Sequence, residues 1–387
     1  MSKTSTKKRR DKGAGEIKQL NDGRWRGRLR YTLVPHGKQF TQLFYGKTKS
    51  DVQKQMRDFN PEEVMEDMRF VTVGSYCWKW LTTYKYPNME HSSFDKIESM
   101  FRIHIQPEIG MIQMQKLKAD DIQKIINKMK REGYSYSTVK KAYDFMNQVL
   151  KHAVGLHHIK DNPIQHVIMP SRKLFPKHQV RFFTDDEIKK IAEEAQRVEN
   201  GKRVYHEGDA FIVLYNSGLR RGELAGLNKS DIDWVKCRLA IHRHVQASKK
   251  RDELGNAVEG REELITLPKT DASYRTVALN KTAMEALRRL CDLHPDSEWV
   301  VCMPDGSRIT LDRLDRTCKK LLKNAGVEKA GLHAFRHTFA SRLIAKGANI
   351  HQVSKILGHS RIQITLDYYA HLFPDEDLAV VSMLDED

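Results

Sequence analysis

Five basic side chains in the second half of the chain are of the types that could together hold one phosphate group. They are Arg220, Lys269, His333, Arg336 and His359. Positively charged donors that converge on a phosphate stabilise the negative charge that develops in a transition state. The tyrosine pair Tyr368 and Tyr369 follows shortly after them, and a phenol oxygen beside such donors can attack phosphorus and form a covalent ester. The sequence therefore indicates phosphoryl transfer through a tyrosine.

The order and spacing of the whole set, more than any single residue, support this interpretation. A lone arginine is usually solvated or paired, and a lone histidine or tyrosine usually has a structural role. His333 and Arg336 are three residues apart, which places them on one face of a helix. No cluster of carboxylates accompanies the set in the sequence, so a two-metal nuclease is not indicated. We expect neither a metal nor another cofactor.

Four short runs carry a resemblance to the tyrosine recombinases, and within them to the integrases of phages and conjugative transposons. They read NSGLRRGEL, LPKTDASYRT, HAFRHTFAS and LGHSRIQITLDYYAHLF. The first is similar to the family's first-arginine motif and the second to the tip of its β-hairpin. The third is similar to its HxxR box, and the fourth holds its third basic residue and its nucleophile. The resemblance covers nearly the whole chain and is strongest over residues 182–374.

The resemblance implies a role for each basic residue. Arg220 and Arg336 would grip the non-bridging phosphate oxygens, because a planar guanidinium donates two hydrogen bonds at once and stays charged. Lys269 would protonate the leaving 5′-oxygen as the general acid. His333 would help to take or return the tyrosine proton, and His359 would donate to a phosphate oxygen.

Three further residues enter the prediction with smaller roles. Glu223, in the first of the four runs, is expected to orient the site without reacting. Lys249 and Lys250 are weaker candidates than Lys269 for the general acid. They stand in the polar stretch 248–261, which we expect to be a loop.

In family members of this type, the nucleophile lies in a TxDxYxHLF pattern. Thr365, Asp367 and His371 match that pattern here and assign the nucleophile to Tyr369. Tyr368 has the spacing used by a neighbouring branch of the family, so we favour Tyr369 and keep Tyr368 as the alternative. The expected product is a 3′-phosphotyrosine and a free 5′-hydroxyl. Because the ester keeps the energy of the broken bond, rejoining would need neither ATP nor metal.

The charge balance agrees with a nucleic-acid partner. The chain has 67 Lys and Arg against 50 Asp and Glu, a formal net charge of +17. Residues 1–60 alone contain 16 basic and 5 acidic side chains. Such an excess suits a surface that binds phosphates. The expected partner is double-stranded DNA, at core and arm-type attachment sites by the family resemblance.

The N-terminal part is predicted to be a flexible basic tail and a small sheet domain. Residues 1–14 include KKRRDK and form the tail, and residues 15–60 show three strand patterns followed by a short helix. The second strand pattern carries four arginines at alternate positions, which therefore share one face. These candidates for DNA contact are Arg24, Arg26, Arg28 and Arg30. The segment resembles the three-stranded arm-binding domain of transposon integrases.

The middle of the chain is predicted to be a helical domain followed by a linker. Residues 68–165 have apolar residues at helical spacing and resemble the core-binding domain of the family. Lys140 and Lys141 are candidates there for contacts with the DNA backbone. The proline-containing stretch 166–180 is expected to be the linker to the catalytic domain at 181–373.

The acidic tail at 374–387 and the assembly state are predicted from the resemblance. Family members often dock such a tail on a neighbouring protomer, and a disordered end is the alternative. The resemblance also implies a homo-tetramer on DNA. An excisionase or a DNA-bending protein is a further candidate partner.

Together these segments predict a multidomain, mainly α chain. It consists of a small three-stranded β plus helix N-terminal domain, a helical core-binding domain and a mixed α+β catalytic domain. Unbroken apolar runs such as FIVLY are too short to span a membrane. Five scattered cysteines without a CxxC pair indicate neither disulfides nor zinc. We expect a bacterial, cytoplasmic protein associated with the nucleoid.

The predicted function is integration and excision of a mobile element by site-specific recombination. One alternative is a type IB topoisomerase-like enzyme, which uses the same cleavage but rejoins the original strand. The arm-like N-terminal domain argues for the recombinase, because a relaxing enzyme does not need two kinds of DNA site. The other alternative is an inactive DNA-binding regulator, and the full set of catalytic positions argues against it.

Overall fold

A computed structural model of the protein describes residues 15–20, 23–32, 39–59, 71–176, 181–266 and 274–369. The chain divides into two compact units. They consist of Met1–Lys177 with Arg251–Asn256 and of His178–Lys250 with Ala257–Asp387. Some predicted features lie outside the described residues, namely the tails 1–14 and 374–387, Lys269 and His371.

The first unit begins with a three-stranded antiparallel sheet and one helix. The strands, in the spatial order β1-β2-β3, are β1 (Glu16–Gln19), β2 (Trp25–Thr32) and β3 (Gln39–Gly46), and the helix is α1 (Lys49–Asp58). Thr48 starts the helix, because its side chain accepts a hydrogen bond from the backbone N–H of Asp51.

Strand β2 has one face against the helix and one basic face. A Cβ atom added to Gly27 would lie 2.6 Å from a methyl carbon of Val52 on α1, so the Gly27 side of the strand packs against the helix. Successive residues of a strand point to opposite faces. The face turned away from α1 therefore carries the arginines at alternate positions. They are Arg26, Arg28 and Arg30, with the exposed Arg24 just before the strand.

Residues 71–176 of the first unit are mainly helical. Their α-helices are α2 (Val73–Trp80), α3 (His91–Met100), α4 (Gln106–Ile109), α5 (Ala119–Arg131) and α6 (Tyr136–Gly155). Two π-helical segments, Leu81–Lys85 and Phe101–Ile105, continue α2 and α3. The apolar faces of these elements bury one core that includes Phe94 and Phe145, as the helical spacing of apolar residues predicts.

The segment predicted as a linker, 166–180, contributes to this core over its described residues. Val167 and Phe175 are buried there, and the Phe175 ring packs edge-on against Tyr136 of α6. A short 3-10 turn at Arg172–Leu174 lies between them. The prediction missed this packing because isolated apolar residues among prolines show neither a helical nor a strand period.

The second unit is mixed α+β. Its helices are α7 (Asp185–Ala195), α8 (Gly208–Ser217), α9 (Arg221–Ala225), α10 (Lys281–Leu293), α11 (Leu311–Asn324), α12 (His333–Ala345), α13 (Ile350–Leu357) and α14 (Ile362–Tyr369). Its strands are β4 (Val198–Glu199), β5 (Lys202–Arg203), β6 (Ile232–Asp233), β7 (Arg238–Ile241), β8 (His244–Arg251), β9 (Ala257–Thr266) and β10 (Arg275–Ala278). They pair as β4-β5, β8-β9 and an antiparallel sheet in the order β10-β7-β6.

Helix α8 forms the centre of the second unit. All ten of its residues, Gly208–Ser217, are buried, which fits a helix that is mainly apolar and lies inside the core. It packs against α7, α10 and α12. The large core around it includes Phe211, Phe335 and Leu287. This core holds the ends of α8, α12 and α13 in fixed positions.

The stretch 248–261 differs from the expected loop. It forms the end of the β8-β9 pair, and Arg251–Asn256 belongs to the first unit rather than to the segment 181–373 that contains it. Arg251 donates to Asp95 and Glu98, and its guanidinium lies over the ring of Phe94. Polar residues on both faces hide the alternation of apolar and polar side chains that identifies a strand from sequence.

The fold class agrees with the prediction. A small sheet with one helix, a helical region and a mixed α+β unit follow each other along a helix-rich chain. Among the described residues, no helix combines the length and the apolar character that crossing a bilayer requires.

Candidate active site

A glycine turn brings Arg220 to the start of α9. Gly218 ends α8 with a φ of 66°, and a Cβ atom there would lie 2.4 Å from the ring of Phe339. Only glycine fits this left-handed and crowded position. Arg220 is then the N-cap of α9, and its backbone N–H donates to the Glu223 carboxylate at 2.9 Å. Its guanidinium donates to the same carboxylate at 2.7 Å.

Glu223 is buried and paired with a second arginine. Both terminal nitrogens of Arg275, on β10, donate to the two Glu223 oxygens at 2.9 Å. Burial opposes the ionisation of Glu223. Hydrogen bonds and charges from Arg275, with the charge of Arg220, outweigh it and lower the pKa of Glu223 to about 2. The carboxylate therefore fixes two guanidinium groups without being free to take a proton.

Arg336, on α12, is held by backbone carbonyls at the ends of two helices. It is 4% exposed and donates to Gly218 O at 2.8 Å and to Leu357 O at 2.7 Å. The carbonyl ends of helices carry partial negative charge, which favours a cation there. Burial and the charge of Arg220 lower the pKa of Arg336 to about 9, so the guanidinium remains charged at neutral pH.

The charges of both arginines lower the pKa values of the two predicted histidines. Partial burial, followed by the charges of Arg336 and Arg220, lowers the pKa of His333. Burial and the same two charges lower the pKa of His359 to about 3. Nδ1 of His359 lies 2.8 Å from the hydroxyl oxygen of Thr365. His359 is therefore neutral at physiological pH and has one ring nitrogen fixed by a hydroxyl.

The two tyrosines have different surroundings. Tyr369 is 1% exposed and packs with Ala340, Ile344 and Leu357, whereas Tyr368 is 42% exposed. The Tyr369 hydroxyl lies 2.6 Å from Nδ1 of His337 on α12. Burial raises the pKa of Tyr369 to about 12, although the charge of Arg336 opposes this shift.

The predicted lysines differ in their exposure. Lys269 lies outside the described residues. Of its two rivals on β8, Lys249 is half-buried and Lys250 is exposed. In the first unit, Lys140 and Lys141 are exposed on α6, and Lys140 donates to the Asp144 carboxylate at 2.7 Å.

Two residues of the cluster, Arg275 and His337, are missing from the predicted set. Arg275 stands in the run LPKTDASYRT, and nothing in one sequence separates it from a surface arginine on a strand. For His337, the sequence does contain a signal. His337 is four residues after His333, a spacing that places both rings on the same face of α12.

The comparisons with known proteins agree with this fold. Residues 181–376 match the phage integrase family, and residues 72–130 match the phage integrase N-terminal SAM-like domain. A tyrosine recombinase XerC-like protein of Caldanaerobacter subterraneus subsp. tengcongensis is 30% identical over 91% of this chain and 93% of its own length.

Two solved structures share the fold. The Tn1549 transposon integrase, in complex with a circular intermediate DNA, superposes with a TM-score of 0.66 at 23% identity, over 81% of this chain and 99% of that one. A lambda integrase tetramer bound to a Holliday junction gives a TM-score of 0.57 at 15% identity, over 95% of this chain and 97% of that one.

The fold and the matching family define an enzyme of DNA recombination. The chain belongs to the phage integrase family, and it is a site-specific recombinase of the tyrosine class.

Proposed function

We propose that the protein integrates and excises a mobile element by cleaving and rejoining DNA with Tyr369 as the nucleophile. One observation carries this proposal. Arg220 donates to Gly358 O at 3.2 Å, and Arg336 donates to Leu357 O at 2.7 Å. Both guanidinium groups therefore meet at the turn that precedes His359, and their charges lower the pKa of His359 and of His333. These side chains come from separate runs of the sequence, and a phosphate is the ligand that suits so many converging donors.

The two arginines hold the phosphate in this mechanism. Each uses part of its five-donor guanidinium on the protein and directs the rest to the non-bridging oxygens. The Tyr369 oxygen attacks phosphorus, the bond to the 5′-oxygen breaks, and a 3′-phosphotyrosine forms. Glu223 keeps Arg220 in position through its own contact with Arg275. Donors fixed in this way need no rearrangement as charge develops.

His359 donates to a phosphate oxygen in its neutral form. In this role the ring hydrogen is on Nε2, and the Thr365 hydroxyl, 2.8 Å from Nδ1, donates to that nitrogen. That hydrogen is then available to the phosphate. His333 lies in the same field of positive charge and assists proton movement at the site.

Lys269 is the proposed general acid, with Lys249 and Lys250 as the alternatives. A substrate with sulfur in place of the bridging 5′-oxygen tests this role, because a thiolate leaves without being protonated. Lys269→Ala should cleave ordinary DNA slowly and the sulfur substrate at nearly the wild-type rate. Equal defects on both substrates would assign the proton to another residue.

The proposed chemistry uses neither metal nor ATP. Among the described residues, no three His, Cys, Asp or Glu side chains lie together as metal ligands. The positive charge that a metal would provide comes instead from Arg220, Arg336 and the histidines. The phosphotyrosine ester keeps the energy that rejoining requires.

The proposed partner is double-stranded DNA, bound by several parts of one protomer and by a homo-tetramer. The basic face of β2 would contact arm-type sites through residues 15–60, the helical region 68–165 would contact the core site, and 181–373 would cleave it. Relatives of the same fold were solved with DNA and as a tetramer on a Holliday junction. An excisionase or a DNA-bending protein would assist in the bacterial cytoplasm.

A nicked suicide substrate that carries the element's own junction sequence tests the proposal. Wild-type protein should form a covalent protein–DNA adduct, with or without a chelator, and Tyr369→Phe should form none. An adduct that disappears with chelator would overturn the metal-free mechanism. If Tyr369→Phe forms the adduct and Tyr368→Phe does not, the nucleophile is Tyr368. Strand exchange between two duplexes, rather than relaxation alone, separates recombination from a topoisomerase.

A further inference from the structure

The hydroxyl group of Tyr369 has one close polar neighbour in the described residues, His337. Nδ1 of this histidine lies 2.6 Å from the phenol oxygen. Tyr369 is on α14 and His337 on α12, so the contact joins two helices. The Tyr369 ring is packed among Ala340, Ile344 and Val353, which fixes the direction in which its hydroxyl points.

This hydrogen bond offers the phenol proton a direct acceptor. Burial raises the pKa of Tyr369 to about 12, so the oxygen carries its hydrogen at neutral pH. In the tautomer of His337 that carries its ring hydrogen on Nε2, the phenol O–H group donates and Nδ1 accepts. A nitrogen lone pair therefore faces the hydrogen that must leave when the oxygen attacks phosphorus.

His337 also lies between the other titratable rings of the site. Its ring centre is 6.1 Å from that of His333, 5.8 Å from that of Tyr369 and 5.4 Å from that of Tyr368. Among these neighbours, Tyr369 is the one whose hydroxyl lies at hydrogen-bond distance.

We propose that His337 is the proton acceptor for Tyr369 in DNA cleavage, so that proton transfer from the nucleophile does not depend on His333. This inference rests on the proposed role of Tyr369 as the nucleophile. A general base must lie within hydrogen-bond reach of the proton that it takes. In this structure His337 meets that requirement directly.

Cleavage moves one proton from Tyr369 to His337 and exchanges one ester bond for another. The O–H bond of Tyr369 breaks and its proton moves to Nδ1, which makes His337 an imidazolium. The phenol oxygen bonds to phosphorus, the bond from phosphorus to the 5′-oxygen breaks, and that oxygen takes a proton from the general acid. In rejoining, a 5′-hydroxyl attacks phosphorus and gives its proton to the deprotonated general acid. His337 then returns its proton to the departing Tyr369 oxygen.

His337→Asn and His337→Ala test the role on the suicide substrate. The Asn oxygen lies near the position of Nδ1 and accepts a hydrogen bond, but it cannot hold the proton at neutral pH. Both variants should lose about 10²–10³-fold in the single-turnover rate of cleavage, the usual contribution of a positioned base. His351→Asn makes the same substitution at an exposed position of α13 and should cleave like wild type.

The pH profile separates a proton acceptor from a group that only holds the tyrosine. Above the pH at which His337 loses its own proton, the wild-type rate should stay level. In His337→Asn it should rise tenfold per pH unit, because hydroxide must then remove the phenol proton. Melting temperature and binding to uncleaved DNA show that each variant is folded, and added imidazole should partly restore His337→Ala.

Two outcomes would overturn the inference, and they differ from failure of the proposed function. If His337→Asn cleaves at the wild-type rate with a level profile, or if Asn restores what Ala loses, His337 is not the proton acceptor, while the wild-type adduct leaves the function intact. If wild-type protein forms no adduct on its own junction sequence, the proposed function fails first.

Discussion

Two buried arginine–carboxylate clusters in the second unit use the same residue types for different purposes. In one, which we call the structural cluster, Asp209 accepts from Arg203 at 2.5 Å and from Arg289 at 2.7 Å, and Glu207 accepts from Arg313 at 2.7 Å. In the active-site cluster, Glu223 accepts from Arg220 and Arg275, and Arg336 is held by backbone carbonyls.

The difference lies in the charge that remains after pairing. The structural cluster sets three arginines against two carboxylates, a balance of +1. The active-site cluster sets Arg220, Arg275 and Arg336 against the single Glu223, a balance of +2. A phosphate-binding site differs from a structural ion-pair cluster in its positive charge, which is held in fixed positions and is not neutralised by carboxylates.

The largest effect should come from replacing the arginine that carbonyls hold. Arg336→Lys keeps the charge but loses the planar fork, and we expect the rate of adduct formation to fall by about 10³-fold. Arg289→Lys makes the same exchange in the structural cluster and should leave that rate unchanged. Similar losses in both variants would mean that the two clusters do not differ in function.

Removal of the carboxylate at the centre of the structural cluster should affect stability instead of cleavage. Asp209 is fully buried, so Asp209→Asn leaves two arginines without their partner and should cost about 3 kcal/mol. For a chain of this size, this corresponds to a fall in the melting temperature of about 4 °C. The cleavage rate per folded molecule, measured well below that temperature, should match wild type, and a slower rate would contradict the comparison.

A smaller and pH-dependent effect should come from Glu223. Its pKa is about 2 in the folded chain and near 4.3 in an unfolded one. As the pH falls from 5 to 3, the unfolded chain binds the proton first, so the folded state loses about 2 kcal/mol. Glu223→Gln has no such proton to bind. Denaturant unfolding of both proteins at the two pH values should show the stability gap closing toward pH 3, and a constant gap would refute the assigned pKa.

Much of the active-site cluster was predictable because its residues stand in dense motifs. The spacing of His333 and Arg336 on one helix, and the order of the runs around Arg220 and His359, needed no structure. Arg275 was not predictable, because its pairing with Glu223 depends on how β10 lies beside α9. The roles assigned to these residues, and the choice of Tyr369 over Tyr368, stay predictions that the structure does not test.

The fold was predictable where hydrophobic periodicity is strong. The helices of the first unit and the basic face of β2 follow directly from it. The burial of Val167 and Phe175 and the β8-β9 pair did not follow, because the first depends on single apolar side chains and the second is polar on both faces. Both features arise where tertiary packing, rather than local pattern, sets the structure.

The most direct test of the central claim is to find the atom that joins the protein to DNA. Wild-type adduct trapped on a suicide substrate can be digested with protease and nuclease, and the peptide that carries the residual nucleotide can be sequenced by tandem mass spectrometry. We predict that the nucleotide is attached through a 3′-phosphate to the oxygen of Tyr369. Attachment to Tyr368, or to any other residue, would contradict the account.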